Sequence, residues 1–233
     1  MANTLGLVGD GDDIDLLRGL EQCFGYRLSD GEAADCRTVA DVYKILQTHF
    51  SSAVGEARSC ASAMAFYRMR RTLVELGAPT DLRPTTMLSE IPMKSPKSLL
   101  RELSARTGLR FPWAAITKVG QLGRTILIIG LLSSVPVLGI YPGWWPLPVL
   151  LITLGVMLVR LDAGCLPPGV QTVGDLAHKV AGLNFGKMVA QGAAPRNTYV
   201  WDALVEVLSE HSGLPTDEIA PSTVLISRRF GFA

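Results

Sequence analysis

The stretch Ile126–Val159 reads ILIIGLLSSVPVLGIYPGWWPLPVLLITLGVMLV, 34 residues without one charge. It is far too long for a single core helix and about 14 residues longer than one membrane crossing needs. Gly, Pro and Trp gather at its middle, in Tyr141-Pro142-Gly143-Trp144-Trp145-Pro146. The economical reading is a transmembrane hairpin over 125–161, with helices near 125–141 and 147–161 and a tight turn between them. Tyr141, Trp144 and Trp145 then fall at a membrane–water interface, where aromatic belts form. Both halves lack the polar face that a soluble helix keeps. Two alternatives stay open at this point: a buried helical pair in a soluble fold, and a hairpin that enters and leaves the same leaflet.

Charge is unevenly spread around that stretch. Residues 1–50 carry nine acids against four bases, and residues 51–124 carry twelve bases against five acids. Arg101, Arg106, Arg110, Lys118 and Arg124 lead into the hairpin, and Arg160, Lys179 and Lys187 follow it. The positive-inside rule therefore predicts a multi-pass protein of a bacterial inner membrane, with both termini cytoplasmic and the lipid bilayer as first partner. The start, MANTLGLVGDGDDID, is acidic and does not read as a signal peptide. Cys23, Cys36, Cys60 and Cys165 lie far apart and suit reduced thiols. The three histidines are isolated, so no metal site is expected. A net charge of +1 argues against a nucleic-acid partner.

The rest of the chain reads as all-α. Ile14, Leu17, Leu20 and Phe24 repeat at helical spacing after the acids Asp10, Asp12 and Asp13, and Gly25 stops that helix. Thr38 and Asp41 form a capping-box-like pair before Val42, Ile45 and Leu46. Residues 59–76 make a longer helix, with Ala63, Phe66, Met69, Leu73 and Leu76 on one face. Arg68, Arg70 and Arg71 mostly face another way, either as a solvated face or toward anionic headgroups. Residues 182–186 and 192–195 read as linker, and a last helix starts near Asn197-Thr198.

Parts of the chain repeat. Residues 77–88, GAPTDLRPTTML, have a twin at 213–225, GLPTDEIAPSTVL. Residues 99–111 parallel 16–28, and Thr172-Val173-Gly174-Asp175 parallels Thr38-Val39-Ala40-Asp41. The run LLRGLEQCFGYRLSDGEAADCRTVADVYKIL, from Leu16 to Leu46, resembles the second half of acyl carrier proteins. The helix followed by G.PTD.i.P.T.L resembles their first helix and long loop. The resemblance implies carrier-like helical bundles arranged in an unusual order. Residues 59–111 and 170–184 would form one bundle, with the hairpin inserted before its last helix. Residues 1–50 and 198–233 would form the halves of a second, in swapped order, closing on each other.

In that family a serine within Asp-Ser-Leu carries phosphopantetheine. The aligned positions here are Asp10 and Met93, neither of which offers a hydroxyl. Ser95 and Ser98 lie just beyond Met93, among basic neighbours, and are the candidates for attachment. No Gly-rich phosphate loop or catalytic triad stands out. The expectation is therefore a membrane-anchored, non-enzymatic docking or scaffold protein without a cofactor, linked to acyl or lipid metabolism. The resemblance implies acyl-transfer enzymes, or other carrier-binding proteins, as partners. Asp12, Asp13, Asp15 and Glu21 would meet a basic patch, either on such a partner or on this chain's own Arg68, Arg70 and Arg71. The alternative is a genuine acyl carrier modified at a non-standard serine.

Overall fold

The computed structural model describes residues 4–7, 11–51, 59–92, 95–140 and 146–226. Helix makes up 66% of the described residues, with two short strands among them, so the fold is all-α. In chain order the elements are β1 (Thr4–Leu7), α1 (Asp12–Phe24), α2 (Asp30–Asp35), α3 (Val39–Ser51), α4 (Ala61–Glu75) and α5 (Pro96–Thr107). Then come α6 (Lys118–Ile140), α7 (Pro146–Leu161), α8 (Val173–Leu183), α9 (Phe185–Ala190), α10 (Asn197–Ser212) and β2 (Val224–Ile226). The chain forms two compact units. The first comprises Met1–Ile91, Leu103–Pro112 and Gln171–Ala233; the second comprises Pro92–Glu102 and Trp113–Val170.

In the first unit, α1, α3 and α10 each turn an apolar stripe to a common core. Leu16, Leu20, Cys23 and Phe24 come from α1, Val39, Val42, Leu46 and Phe50 from α3, and Val200, Leu204, Val207 and Leu208 from α10. These positions recur every three or four residues, the period of one helix face. Each fully buried Leu or Phe contributes about 1.5–3 kcal/mol. Phe24, Phe50 and Phe185 close the core, with ring centroids 5.1–5.9 Å apart. Gly25 ends α1 at φ 64°, its N–H bonded to the Glu21 carbonyl. Of the two stretches read as linker, 192–195 does connect α9 to α10, but 182–186 holds the end of α8 and the start of α9, whose Phe185 and Met188 are buried. Two flanking glycines and an asparagine hid one apolar turn there.

Alongside, α4 packs on α8, burying Phe66, Met69 and Leu73 with Val173, Leu176 and Val180. The repeated segments build the same latch twice. The Val39 N–H donates to the Thr223 carbonyl at 3.0 Å, and the Val173 N–H donates to that of Thr86 at 2.9 Å. Ala40 donates to Pro221 at 3.0 Å as Gly174 donates to Pro84 at 2.8 Å. Leu225 donates to Arg37 at 3.1 Å as Leu88 donates to Gln171 at 2.9 Å. Both helix starts carry the same cap: Asp41 Oδ2 accepts from the Arg37 and Thr38 N–H groups, and Asp175 Oδ2 from those of Gln171 and Thr172.

These backbone donors hold both carboxyls below the usual aspartate range. A carboxyl so held stabilises the fold at neutral pH and loses its contribution as pH falls below about 4. Asp41→Ala is therefore expected to cost about 1–2 kcal/mol at pH 7 in urea unfolding. The difference from the native chain should shrink at pH 3.

In the second unit, α6 and α7 pack along a small-residue seam. A Cβ on Gly155 would stand 2.7 Å from the Leu127 nitrogen and 2.9 Å from the Gly123 oxygen. One on Gly130 would stand 2.9 Å from Ile152 Cγ1. Ala115 and Cys165 exchange backbone hydrogen bonds of 2.9 and 2.8 Å at the foot of the pair, and the Thr117 hydroxyl donates to Asp162 at 2.6 Å.

The hairpin is present, but its expected role is overturned. Among the described residues no helix is long and apolar enough to cross a membrane. The sixteen residues of α7 span about 24 Å. Lys118 and Arg124 occupy the first two turns of α6, and the sixteen residues after Arg124 span about 24 Å as well. A hydrocarbon core is about 30 Å thick. The transmembrane hairpin and the multi-pass inner-membrane placement are corrected accordingly. Tyr141, Trp144 and Trp145, expected at the interface, lie outside the described residues.

Candidate functional site

The richest polar chemistry of the first unit lies where α8 meets α10. Lys179 Nζ sits 3.1 Å from Glu206 Oε1, with both side chains mostly buried. One turn on, Arg110 Nη2 sits 2.8 Å from Glu210 Oε2. Asn184 locks the Arg110 backbone from both sides: its Oδ1 accepts from the Arg110 N–H at 2.8 Å, and its Nδ2 donates to the Arg110 carbonyl at 2.8 Å. Burial raises the Glu206 and Glu210 carboxyls above their ordinary value, outweighing Lys179 and Arg110. Burial also lowers His211, and Arg110 adds to that shift. Arg110 Nη1, Glu210 Oε1 and His211 Nε2 are buried and without hydrogen-bond partners among the described residues. Cys23 lies next to this seam and donates to the Gly182 carbonyl at 3.0 Å. Its thiol is pushed up to about 12 by burial, which makes it inert.

A crevice opens at the other end of the same seam, lined by Ser62, His178, Tyr199, Asp202 and Glu206. Ser62 Oγ and His178 Nδ1 are 3.4 Å apart. Cys60 precedes α4, its sulfur 3.8 Å from the Tyr199 hydroxyl. Burial pushes that thiol up, but the Ala63 N–H and the Tyr199 hydroxyl outweigh it and leave it below its ordinary value.

The residues expected from sequence are placed as follows. Asp12, Asp13 and Asp15 share the first turn of α1. Asp13 accepts from the Ile14 N–H at 2.8 Å, Asp15 lies 3.7 Å from Arg18, and Glu21 lies 3.6 Å from Arg27. Arg68 donates to Gln191 at 2.6 Å and Arg70 to the Thr80 carbonyl at 2.7 Å, while Arg71 is exposed. Among the described residues no ion pair joins the acids of α1 to the arginines of α4. Ser95 and Ser98 come together before and within the first turn of α5, their hydroxyls 3.0 Å apart. Ser95 Oγ accepts from the Ser98 N–H at 3.1 Å, so it serves as that helix's cap. Asp10 and Met93 lie outside the described residues.

The charged seam went unseen in the sequence. Its one local signal is Glu206 and Glu210, four residues apart on a helix that buries Val200, Ala203, Leu204, Val207 and Leu208. Their partners, Lys179 and Arg110, are far away in sequence. Among the described residues no set of His, Cys, Asp and Glu is grouped to hold a metal ion. Set against known proteins, the chain matches no family model, no curated protein and no solved structure.

Proposed function

We propose that the chain is a non-enzymatic docking or scaffold protein, built on two carrier-like bundles that lack the prosthetic-group serine. The observation that carries this reading is the duplicated latch, in which the same three backbone hydrogen bonds and the same Asp cap recur at Thr38 and Thr172. In each copy the helix after the latch, α3 or α8, packs against the helix before the long loop, α10 or α4. That is the packing the acyl-carrier resemblance implies. The exposed carboxylates of Asp12 and Asp15 give α1 an acidic end suited to a basic patch on an acyl-transfer enzyme or another carrier-binding protein. Arg71 is the exposed basic counterpart on α4.

The chemistry at the carrier positions favours docking over carrying. A carboxylate at Asp10 and a thioether at Met93 cannot form the phosphodiester that holds phosphopantetheine. The Ser95 hydroxyl is committed to its helix cap. Incubation of the full chain with a broad-specificity phosphopantetheinyl transferase and coenzyme A, followed by intact mass measurement, should show no added prosthetic group. A gain of its mass, lost in Ser95→Ala or Ser98→Ala, would replace this reading with that of a genuine carrier.

A further inference from the structure

The four thiols of the chain sit in two kinds of surroundings. Cys23 donates to the Gly182 carbonyl at 3.0 Å, Cys36 to the Glu32 carbonyl at 3.1 Å and Cys165 to the Ala115 carbonyl at 3.4 Å. A carbonyl can only accept, so each of these contacts engages the protonated thiol. Cys23 and Cys36 are buried as well, and burial pushes them up to about 12 and about 11. Cys60 has the opposite neighbours. It is exposed and precedes the first turn of α4, which holds no acidic residue. The Ser62 and Ala63 N–H groups and the Ser62 and Tyr199 hydroxyls face its sulfur, and every one of them can donate to a thiolate. The Arg196 guanidinium, 5.9 Å from the centre of the Tyr199 ring, adds positive charge nearby.

The cluster continues past the sulfur. The Ser62 hydroxyl also lies 3.4 Å from His178 Nδ1, so a nucleophile and a base are joined through one hydroxyl. Ser62, His178 and Tyr199 line the crevice between α4, α8 and α10, whose volume is about 30 Å³. One water needs about 10–15 Å³ of such space. The crevice therefore suits a molecule of two oxygen atoms and is far too small for an acyl chain.

We infer that Cys60 is a site of oxidation by hydrogen peroxide, which the crevice beside Ser62, His178 and Tyr199 receives and which converts the thiol to a sulfenic acid. The thiol proton passes through the Ser62 hydroxyl to His178. The thiolate attacks one peroxide oxygen, and the S–O bond forms as the O–O bond breaks. Sulfur is oxidised and the peroxide is reduced. The Tyr199 hydroxyl donates to the departing oxygen, which takes the proton from His178 and leaves as water. One thiol and one hydrogen peroxide thus give one sulfenic acid and one water. Oxidation of this kind follows thiolate character and access, and Cys60 is the thiol that combines the two.

The full reduced chain, treated with hydrogen peroxide at pH 7 in the presence of dimedone and mapped by peptide mass, tests this. Cys60 should gain the dimedone adduct at least tenfold faster than Cys165, the other exposed thiol, and Cys23 and Cys36 should stay unlabelled. Tyr199→Phe and Ser62→Ala should each slow labelling of Cys60 at least threefold with unchanged helical circular dichroism, whereas Ser62→Thr, which keeps the hydroxyl, should label at close to the native rate. Cumene hydroperoxide, too bulky for the crevice, should react at least tenfold more slowly than hydrogen peroxide. Labelling of Cys165 as fast as Cys60 overturns the inference. So does a Cys60 rate unchanged in both Tyr199→Phe and Ser62→Ala, since exposure alone would then set it. Equal rates with the two peroxides overturn the role of the crevice.

Discussion

Gly186→Ala is expected to be among the most destabilising single-methyl changes in the chain, at about 3 kcal/mol or more. Gly186 is in the first turn of α9, where that helix crosses the end of α1. A Cβ there would overlap the Phe24 carbonyl and stand 2.8 Å from the Gly25 nitrogen. Both obstacles are backbone and cannot swing aside as a side chain would. Overpacking against movable side chains costs about 1–3 kcal/mol. Relief here means moving α9 away from α1, which draws Phe185 and Met188 out of the core. The control is Gly182→Ala, one turn earlier in α8. Its Cβ would make an ordinary contact, 3.7 Å from the Ala203 Cα. Replacing a helical Gly there should be neutral or stabilise by up to about 1 kcal/mol. Urea unfolding of both variants checks the pair. A Gly186→Ala chain within 1 kcal/mol of native would mean that α9 does not cross α1 as closely as described.

That contrast shows what the sequence could and could not convey. Leu16, Leu20 and Phe24 announce α1 by their spacing alone, and Thr38 with Asp41 announces the start of α3. Such signals are local, because helix periodicity and capping act within a few residues. Gly182 and Gly186 look alike in sequence, both set in a Gly-rich stretch that reads as linker. Only the backbone of α1, more than 150 residues earlier, distinguishes them. The same limit hid Arg110 and Lys179, whose meaning depends on Glu210 and Glu206 across the fold. The hairpin failed differently. Its apolar run was read as two helices, as α6 and α7 are, but the missing polar face outweighed the short uncharged span of each half, which falls below a bilayer's thickness. The acids of α1 and the arginines of α4 were legible as charge, though the partners the described residues give them are mostly local.

Arg110→Met should cost about 2–4 kcal/mol at pH 8, because it strands Glu210. The Glu210 side chain is only 12% exposed, and its nearest cation is the Arg110 guanidinium at 2.8 Å. Breaking a buried pair leaves an uncompensated charge, whereas replacing both partners with apolar groups is often nearly neutral. Arg110→Met with Glu210→Met is therefore expected within about 1 kcal/mol of native, and the two changes should be strongly non-additive. The pH dependence has a definite sign. Glu210 already holds its proton more tightly in the fold than an ordinary glutamate does, and loss of Arg110 strengthens that hold. A carboxyl raised in this way loses stability as pH climbs above the ordinary value of about 4.3. His211 acts in the same sense on the difference between the two chains. Its lowered value makes the native fold lose stability as pH falls below about 6.5, and part of that loss is repulsion from Arg110. The deficit of Arg110→Met should accordingly shrink between pH 8 and pH 5, as Glu210 takes up its proton and His211 is spared the guanidinium. Guanidinium-chloride midpoints for the native chain, the single variant and the double variant at both pH values test this. A deficit that grows on acidification would show that Arg110 stabilises the fold by some route other than neutralising Glu210.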